Sequence, residues 1–273
     1  MIVHLIDGTY ELFRHFYGLR RFHKTDPPFG AVSGVLNMIA KMIEDGATHI
    51  GVATDHIIES FRNDLWPGYK TGAGIERALL AQFHPLEEAL AAMGVVVWPM
   101  VEFEADDALA AAAHLSAKSK LVEKVCIWTP DKDLAQCVSG GRVVQIDRRK
   151  DEIRDEAAIQ AKFGVLPEFI PDYLALVGDN ADGYPGIKGL GPRTAATLIK
   201  GHGHIEDFPA GVLSGTNREL ALLFKDLATL RTDIPLFKSV NELKWTGATP
   251  AFERVAEKID AKRLVGRVEK LPR

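Results

Sequence analysis

Only two cysteines, Cys126 and Cys137, occur in the 273 residues. A disulfide framework is therefore excluded, and a reducing, cytoplasmic setting is the expectation. Long apolar runs are missing too: none approaches the roughly 18 residues that a membrane-spanning helix requires. The opening MIVHLIDGTY has no basic region and places an acid at Asp7, so it does not read as a secretory leader. Nor is there a surplus of positive charge. Lys and Arg number 33 against 37 Asp and Glu, a net charge of −4, whereas a nucleic-acid-binding chain is usually basic. That balance depends on where the acids sit. If nine of them gather at one site, the rest of the chain carries more basic than acidic residues. What remains is an ordinary globular composition, long enough for one large domain or two modest ones.

Five short runs rich in β-branched residues read as buried strands: 2–6 (IVHLI), 49–54 (HIGVAT), 95–101 (VVVWPMV), 124–129 (KVCIWT) and 142–146 (RVVQI). Between them the apolar spacing predicts helices over about 31–45, 76–93 and 104–117. Strands alternating with helices predict an α/β fold, a mostly parallel central sheet flanked by helices. Beyond about residue 155 strand-like runs stop, and short helices with Gly- and Pro-rich joints follow; 217–232 gives one more helix. The expected division is an α/β core over 1–160 and a helical region over 161–273. The run DRRKDE (147–152) reads as a solvated turn.

Acids recur at the strand ends. The first strand runs into Asp7 and the second into Asp55; the third is followed by Glu104, Asp106 and Asp107; the fourth runs into Asp131 and Asp133. Ligands of an open parallel sheet bind at that edge. Taken singly, each acid reads better as a helix cap or turn residue; four elements delivering them to one edge is a poor coincidence. Two carboxylates about 4 Å apart repel by about 4 kcal/mol at an effective dielectric near 20, so such a cluster calls for cations or bound protons. Without Cys or His at ligand spacing, the donor set is all oxygen, which selects Mg²⁺ or Mn²⁺ over Zn²⁺. Glu104 and Asp107 share one helix face while Asp106 points elsewhere. Asp179 and Asp182 in GDNAD repeat the three-residue spacing, and two ions bridged by shared carboxylates would use the whole set.

Directly after GDNAD comes GIKGLGPRTAATLIKG (186–201). Gly189 and Gly191 permit a tight turn, and Pro192 suits a first helical turn. Exposed amides at a helix start bind phosphate without reading sequence, and Lys188, Arg193 and Lys200 add charge.

With these pieces in place, the chain resembles the bacterial and phage 5′-nucleases of the flap endonuclease superfamily, including the 5′-nuclease domain of bacterial DNA polymerase I. The resemblance is carried by LIDGTYELFR (5–14), ATDHIIESFRNDLWPGYK (53–70), FEADDALA (103–110), TPDKDLAQ (129–136) and GDNADGYPGIKGLGPRTAATLI (178–199). It implies a PIN-like 5′-nuclease core with a helical arch at about 61–82 and a helix–hairpin–helix at about 172–201. Asp7, Asp55, Glu104, Asp106, Asp107, Asp131, Asp133, Asp179 and Asp182 correspond to metal-site acids holding two Mg²⁺ (or Mn²⁺) ions. Lys70, Arg14 and Arg62 correspond to the basic residues near the reacting phosphate. Tyr69, Arg77, Lys188, Gly189, Gly191, Arg193, Thr194 and Lys200 are the implied DNA contacts, with a K⁺ ion at the hairpin. The implied activity is structure-specific 5′-3′ exonuclease or flap endonuclease cleavage of DNA by a monomer without sequence specificity, RNA in primers being a further substrate. After GYK the sequence reads TGAGIERALL, so the arch is shorter and less basic than the family's.

Three rivals differ in chemistry. A haloacid-dehalogenase-type phosphatase shares IDGT and a later Gly-Asp motif, but its nucleophile would fall at Leu5, which cannot be phosphorylated. A ribonuclease on a related acid-edged sheet would be about half this length and lack the glycine hairpin. A non-catalytic binder of branched DNA would keep the fold and give no product. GHGH (202–204 and Gly201) reads as a solvated loop, and Phe61 and Trp66 as core aromatics rather than base-stacking platforms.

Overall fold

The computed structural model describes residues 1–19 and 28–272. The first half alternates strands and helices: β1 (Ile2–Asp7), α1 (Gly8–Leu19), α2 (Gly30–Glu44), β2 (His49–Asp55), α3 (Phe61–Leu65), α4 (Arg77–Leu80), α5 (Phe83–Ala92), β3 (Val96–Met100), α6 (Ala105–Lys118), β4 (Lys124–Trp128), β5 (Val143–Asp147) and β6 (Glu152–Arg154). The strand order is β3-β2-β1-β4-β5-β6, parallel except for β6. Apolar side chains alternate across the sheet. Val3 and Leu5 pack with Ala108, Leu109 and Ala112 of α6. Ile6 faces the other side, where Val35 and Ile39 of α2 and Leu86 of α5 cover the sheet.

Because β1 lies between β2 and β4, the strand order reverses at its C-terminal end, which opens a crevice there. Asp7 stands in register with Ala53, two residues before Asp55, and Ile6 with Trp128. The acid-bearing strand ends therefore share one edge.

The second half is helical: α7 (Glu156–Phe163), α8 (Ile170–Val177), α9 (Pro192–His202), α10 (Gly215–Ala228), α11 (Phe252–Lys258) and α12 (Lys262–Val268). Helices α7 to α10 close over their own apolar cluster, which takes in Tyr69 from the first half.

Four expectations need correction. The helix expected over 76–93 breaks at Ala81 and Gln82: Pro85 has no amide hydrogen to give the Ala81 carbonyl and its ring crowds that turn, while the Gln82 Oε1 accepts from the Ala31 and Val32 amides at the start of α2. A short strand, β6, was missed: the 147–152 turn closes a hairpin in which Arg154 pairs with Asp147 at 2.7 Å. The tail crosses the expected division, since Phe252, Val255 and Leu264 of α11 and α12 join the cluster under α2 and α5. Tyr69, expected as a DNA contact, is only 4% exposed and forms part of the helical core.

Candidate metal centre and nucleic-acid interface

The strand ends place the acids, and backbone and hydroxyl donors then aim them. Asp7 accepts from the Tyr10 amide (2.8 Å) and from Thr129 Oγ1 (3.0 Å). The Asp55 Oδ1 accepts from the Ala105 amide at 2.8 Å, so the second strand caps α6 from outside. Asp131 accepts from the Asp133 amide at 2.9 Å, and Asp179 accepts from the Ala181 amide at 2.9 Å.

Two groups of ligand atoms result. Asp106, Asp131 and Asp133 offer oxygens within 4.8 Å of one another, and so do Asp133, Asp179 and Asp182. Asp133 belongs to both. Its Oδ1 is buried without a hydrogen-bond partner, an orphaned acceptor that fits a cation. The donor set is carboxylate throughout, which suits Mg²⁺ or Mn²⁺.

Burial, and then the proximity of like charges, governs the protonation of this pocket. Burial pushes Asp7 from an ordinary 3.8 up to about 7, with Asp55 and Asp131 adding to the shift. Asp106 lies well above the usual carboxylate range through burial, then Asp131 and Asp7. Asp133 does so through burial, then Asp131 and Asp182. Asp182 is raised by burial, although Lys70 opposes this. These charge couplings tie acids from β1, β2, α6, the β4 loop and the α8–α9 turn into one pocket.

Two lysines bound it. Lys70 Nζ lies 2.7 Å from Glu104 and 3.2 Å from Asp182, with the side chain 29% exposed. Burial would lower its pKa, but Asp182 and Glu104 outweigh that and hold it firmly charged. Burial likewise would raise Glu104, yet Lys70 and Arg62 keep it below its usual value. Lys132, which the sequence reading passed over, is ion-paired with Asp179. Its only signal was a lysine between two acids in DKD.

Not every expected residue joins them. Asp107 is fully buried: Arg62 donates to both its oxygens (2.7 and 2.8 Å), and the Glu104 and Arg231 amides complete its shell. It has no lone pair directed at the pocket, so the metal-ligand expectation for Asp107 fails. Arg62 is corrected with it. At 1% exposed, its guanidinium also donates to Glu104 and to the Leu227 and Thr229 carbonyls, which leaves nothing to reach a phosphate. Arg14 stands apart, bound to Glu11 at 2.6 Å in a cavity of about 600 Å³ that it shares with Tyr10, Tyr17 and Arg149. His56 follows Asp55, but its ring turns to Glu87 at 2.7 Å.

Lys188, Gly189, Gly191, Arg193 and Thr194 lie exposed around the turn that leads into α9, where Gly189 has φ +89°, and Lys200 is exposed in the last turn of that helix. Arg77 is exposed at the start of α4. Phe61 stacks under Arg62 and Arg231, and Trp66 packs edge-on against Phe224. His204 is bonded to buried Asp172 at 2.9 Å.

Two family models together cover residues 2–251. Residues 2–164 match the N-terminal resolvase-like domain of 5′-3′ exonuclease, and 165–251 match its C-terminal SAM fold. The chain belongs to the 5′-3′ exonuclease family. Within it, a 5′-3′ exonuclease of Aquifex aeolicus is 31% identical over 282 residues, covering 98% of this chain and 96% of that protein. A DNA polymerase I of Rhizobium leguminosarum is 35% identical over 253 residues. That match takes in 85% of this chain but only 25% of the polymerase, so the chain spans about a quarter of that relative. In fold, the bacteriophage T5 flap endonuclease solved with DNA and metal ions superposes with a TM-score of 0.67 at 19% identity, covering 99% of this chain and all of that one. Among the described residues no helix is long and apolar enough to cross a membrane.

Proposed function

We propose that this 5′-3′ exonuclease-family chain is a structure-specific 5′-nuclease, cutting DNA phosphodiesters at 5′ ends, flaps or nicks to leave 5′-phosphate and 3′-hydroxyl ends. The observation that carries the reading is Asp133, shared by two adjoining carboxylate groups with an unpaired buried oxygen. Asp106, Asp131 and Asp133 would hold one divalent ion, and Asp133, Asp179 and Asp182 the other. Such a pair, when bound, lowers the pKa of a coordinated water and neutralises the departing oxygen.

The chain's own groups do the rest. Lys70 is charged and held at the pocket rim, placed to meet phosphate charge that grows in the transition state. Glu104 and Asp182 orient it and keep it there. Arg14 lies farther off and would meet the substrate's backbone. Residues 172–201 would grip the duplex through hairpin amides, Lys188 and Arg193, a mode that reads shape and charge rather than bases. In this reading residues 1–160 form the catalytic core, with 61–82 as an arch beside the cleft.

Support comes from family membership and from the DNA-bound state of the T5 structure. The test is cleavage of matched blunt, nicked, gapped and flapped 5′-labelled DNA with Mg²⁺. The parent gives products with 5′-phosphate ends, and Asp133→Asn abolishes them. Structure-selective binding by the parent without any product would instead establish a non-catalytic DNA binder.

A further inference from the structure

A second donor set lies beside the acid pocket with different chemistry. His56 follows the end of β2, while His84 and Glu87 sit three residues apart at the start of α5. One ligand atom from each lies within 4.8 Å of the other two. His56 Nδ1 is 2.7 Å and His84 Nδ1 3.6 Å from the same oxygen, Glu87 Oε2. The other oxygen, Oε1, accepts a 2.8 Å hydrogen bond from Thr54 Oγ1, which fixes the carboxylate. Glu87 is buried and the His84 side chain 64% exposed, so the set opens to solvent on one side.

We propose that His56, His84 and Glu87 bind a Zn²⁺ ion, with water as the fourth ligand. Zinc holds imidazole nitrogen and carboxylate oxygen at roughly 2.0–2.2 Å, which sets tetrahedral donors roughly 3.4 Å apart. The 3.6 Å pair stands close to that spacing, and the 2.7 Å pair opens by under an ångström to reach it. Two imidazoles disfavour Mg²⁺, which takes oxygen donors, so this set and the acid pocket select different ions. Among the described residues no lysine or arginine is ion-paired to Glu87. The group Asp172, His204 and Glu206 differs here, because Lys225 Nζ already sits 2.8 Å from Asp172 and 2.6 Å from Glu206. His56 and His84 bracket residues 57–83, the segment that carries Lys70. An ion joining them clamps the two ends of that segment.

The experiment is calorimetric titration of the full chain with ZnCl₂ in excess Mg²⁺, with hydrogen exchange as a second readout. One Zn²⁺ binds, and exchange across 57–83 slows. In His84→Ala, an exposed change that leaves the metal-free melting temperature in place, Kd rises at least about tenfold and the slowing is lost. Equal Zn²⁺ affinity in His84→Ala and parent overturns the proposal, as does Zn²⁺ binding that Mg²⁺ fully displaces. Neither readout uses DNA cleavage, so either result leaves the nuclease reading standing on its own test.

Discussion

Gly183 lies directly against Gly68: a Cβ on Gly183 would fall 2.0 Å from the Gly68 carbonyl oxygen. Around this contact the Lys70 amide donates to the Asp182 carbonyl at 2.9 Å, and Trp66 Nε1 to the Gly183 carbonyl at 3.0 Å. Two loops more than a hundred residues apart in the chain are thus sewn together, and the seam sets Lys70 over Asp182.

Gly183→Ala should therefore disturb both fold and site. Gly183 has φ +85°, which is strained for any residue with a Cβ, and the clash adds to that strain. A stability loss of at least about 2 kcal/mol is expected from urea denaturation. The loops must part, so cleavage falls even in the folded fraction.

Arg62 and Lys70 should separate. Arg62→Ala leaves buried Asp107 without its counter-ion, held only by the Glu104 and Arg231 amides, a loss of about 3–5 kcal/mol measurable by denaturant unfolding. Lys70→Met removes one of the two cations on buried Glu104, so it also costs stability, but less, because the side chain is 29% exposed and Arg62 still pairs with Glu104. Its single-turnover cleavage falls at least about 100-fold.

The pocket's carboxyls give a pH signature. Asp7 titrates near 7 when folded and near 3.8 when unfolded, mainly through burial. Between those values the folded chain holds a proton that the unfolded chain releases. Its stabilising contribution is complete below about 3.8 and is lost as pH rises through about 7. Asp106 and Asp133 shift the same way. Divalent ions compete with those protons, so added Mg²⁺ raises the melting temperature more at pH 8 than at pH 5. A calorimetric scan at both values, with and without Mg²⁺, checks it; an equal increment speaks against a carboxylate site.

At the hairpin, Lys188→Ala with Arg193→Ala should weaken DNA binding equally across unrelated sequences. The slope of log Kd against log salt should fall by about 1–2. Fluorescence anisotropy over a salt series reads both effects.

Much of this was legible from the chain. Continuous β-branched runs admit little but buried strands, and the acids that end them must share an edge once the strands run parallel. The three-residue β6 was not legible, because it offers no alternation to read and its Arg154 owes its place to Asp147. Pro85 did mark the break at Ala81, since it withholds an amide from that carbonyl, but the bond from Gln82 to α2, some fifty residues away, was not legible.

The sequence by itself determined which residue types arrive at the cleft, since motif spacing and strand ends are local properties. Only the tertiary structure decided which of them face it. Glu104, Asp106 and Asp107 are consecutive enough to share a helical turn, yet the packing of α6 aims Asp106 at Asp131 and Asp133 and turns Asp107 inward to Arg62. The same packing withdraws Arg62 and Tyr69 from solvent and brings His56 to His84 and Glu87. A side chain's direction depends on what its element buries, and that is settled by distant parts of the chain.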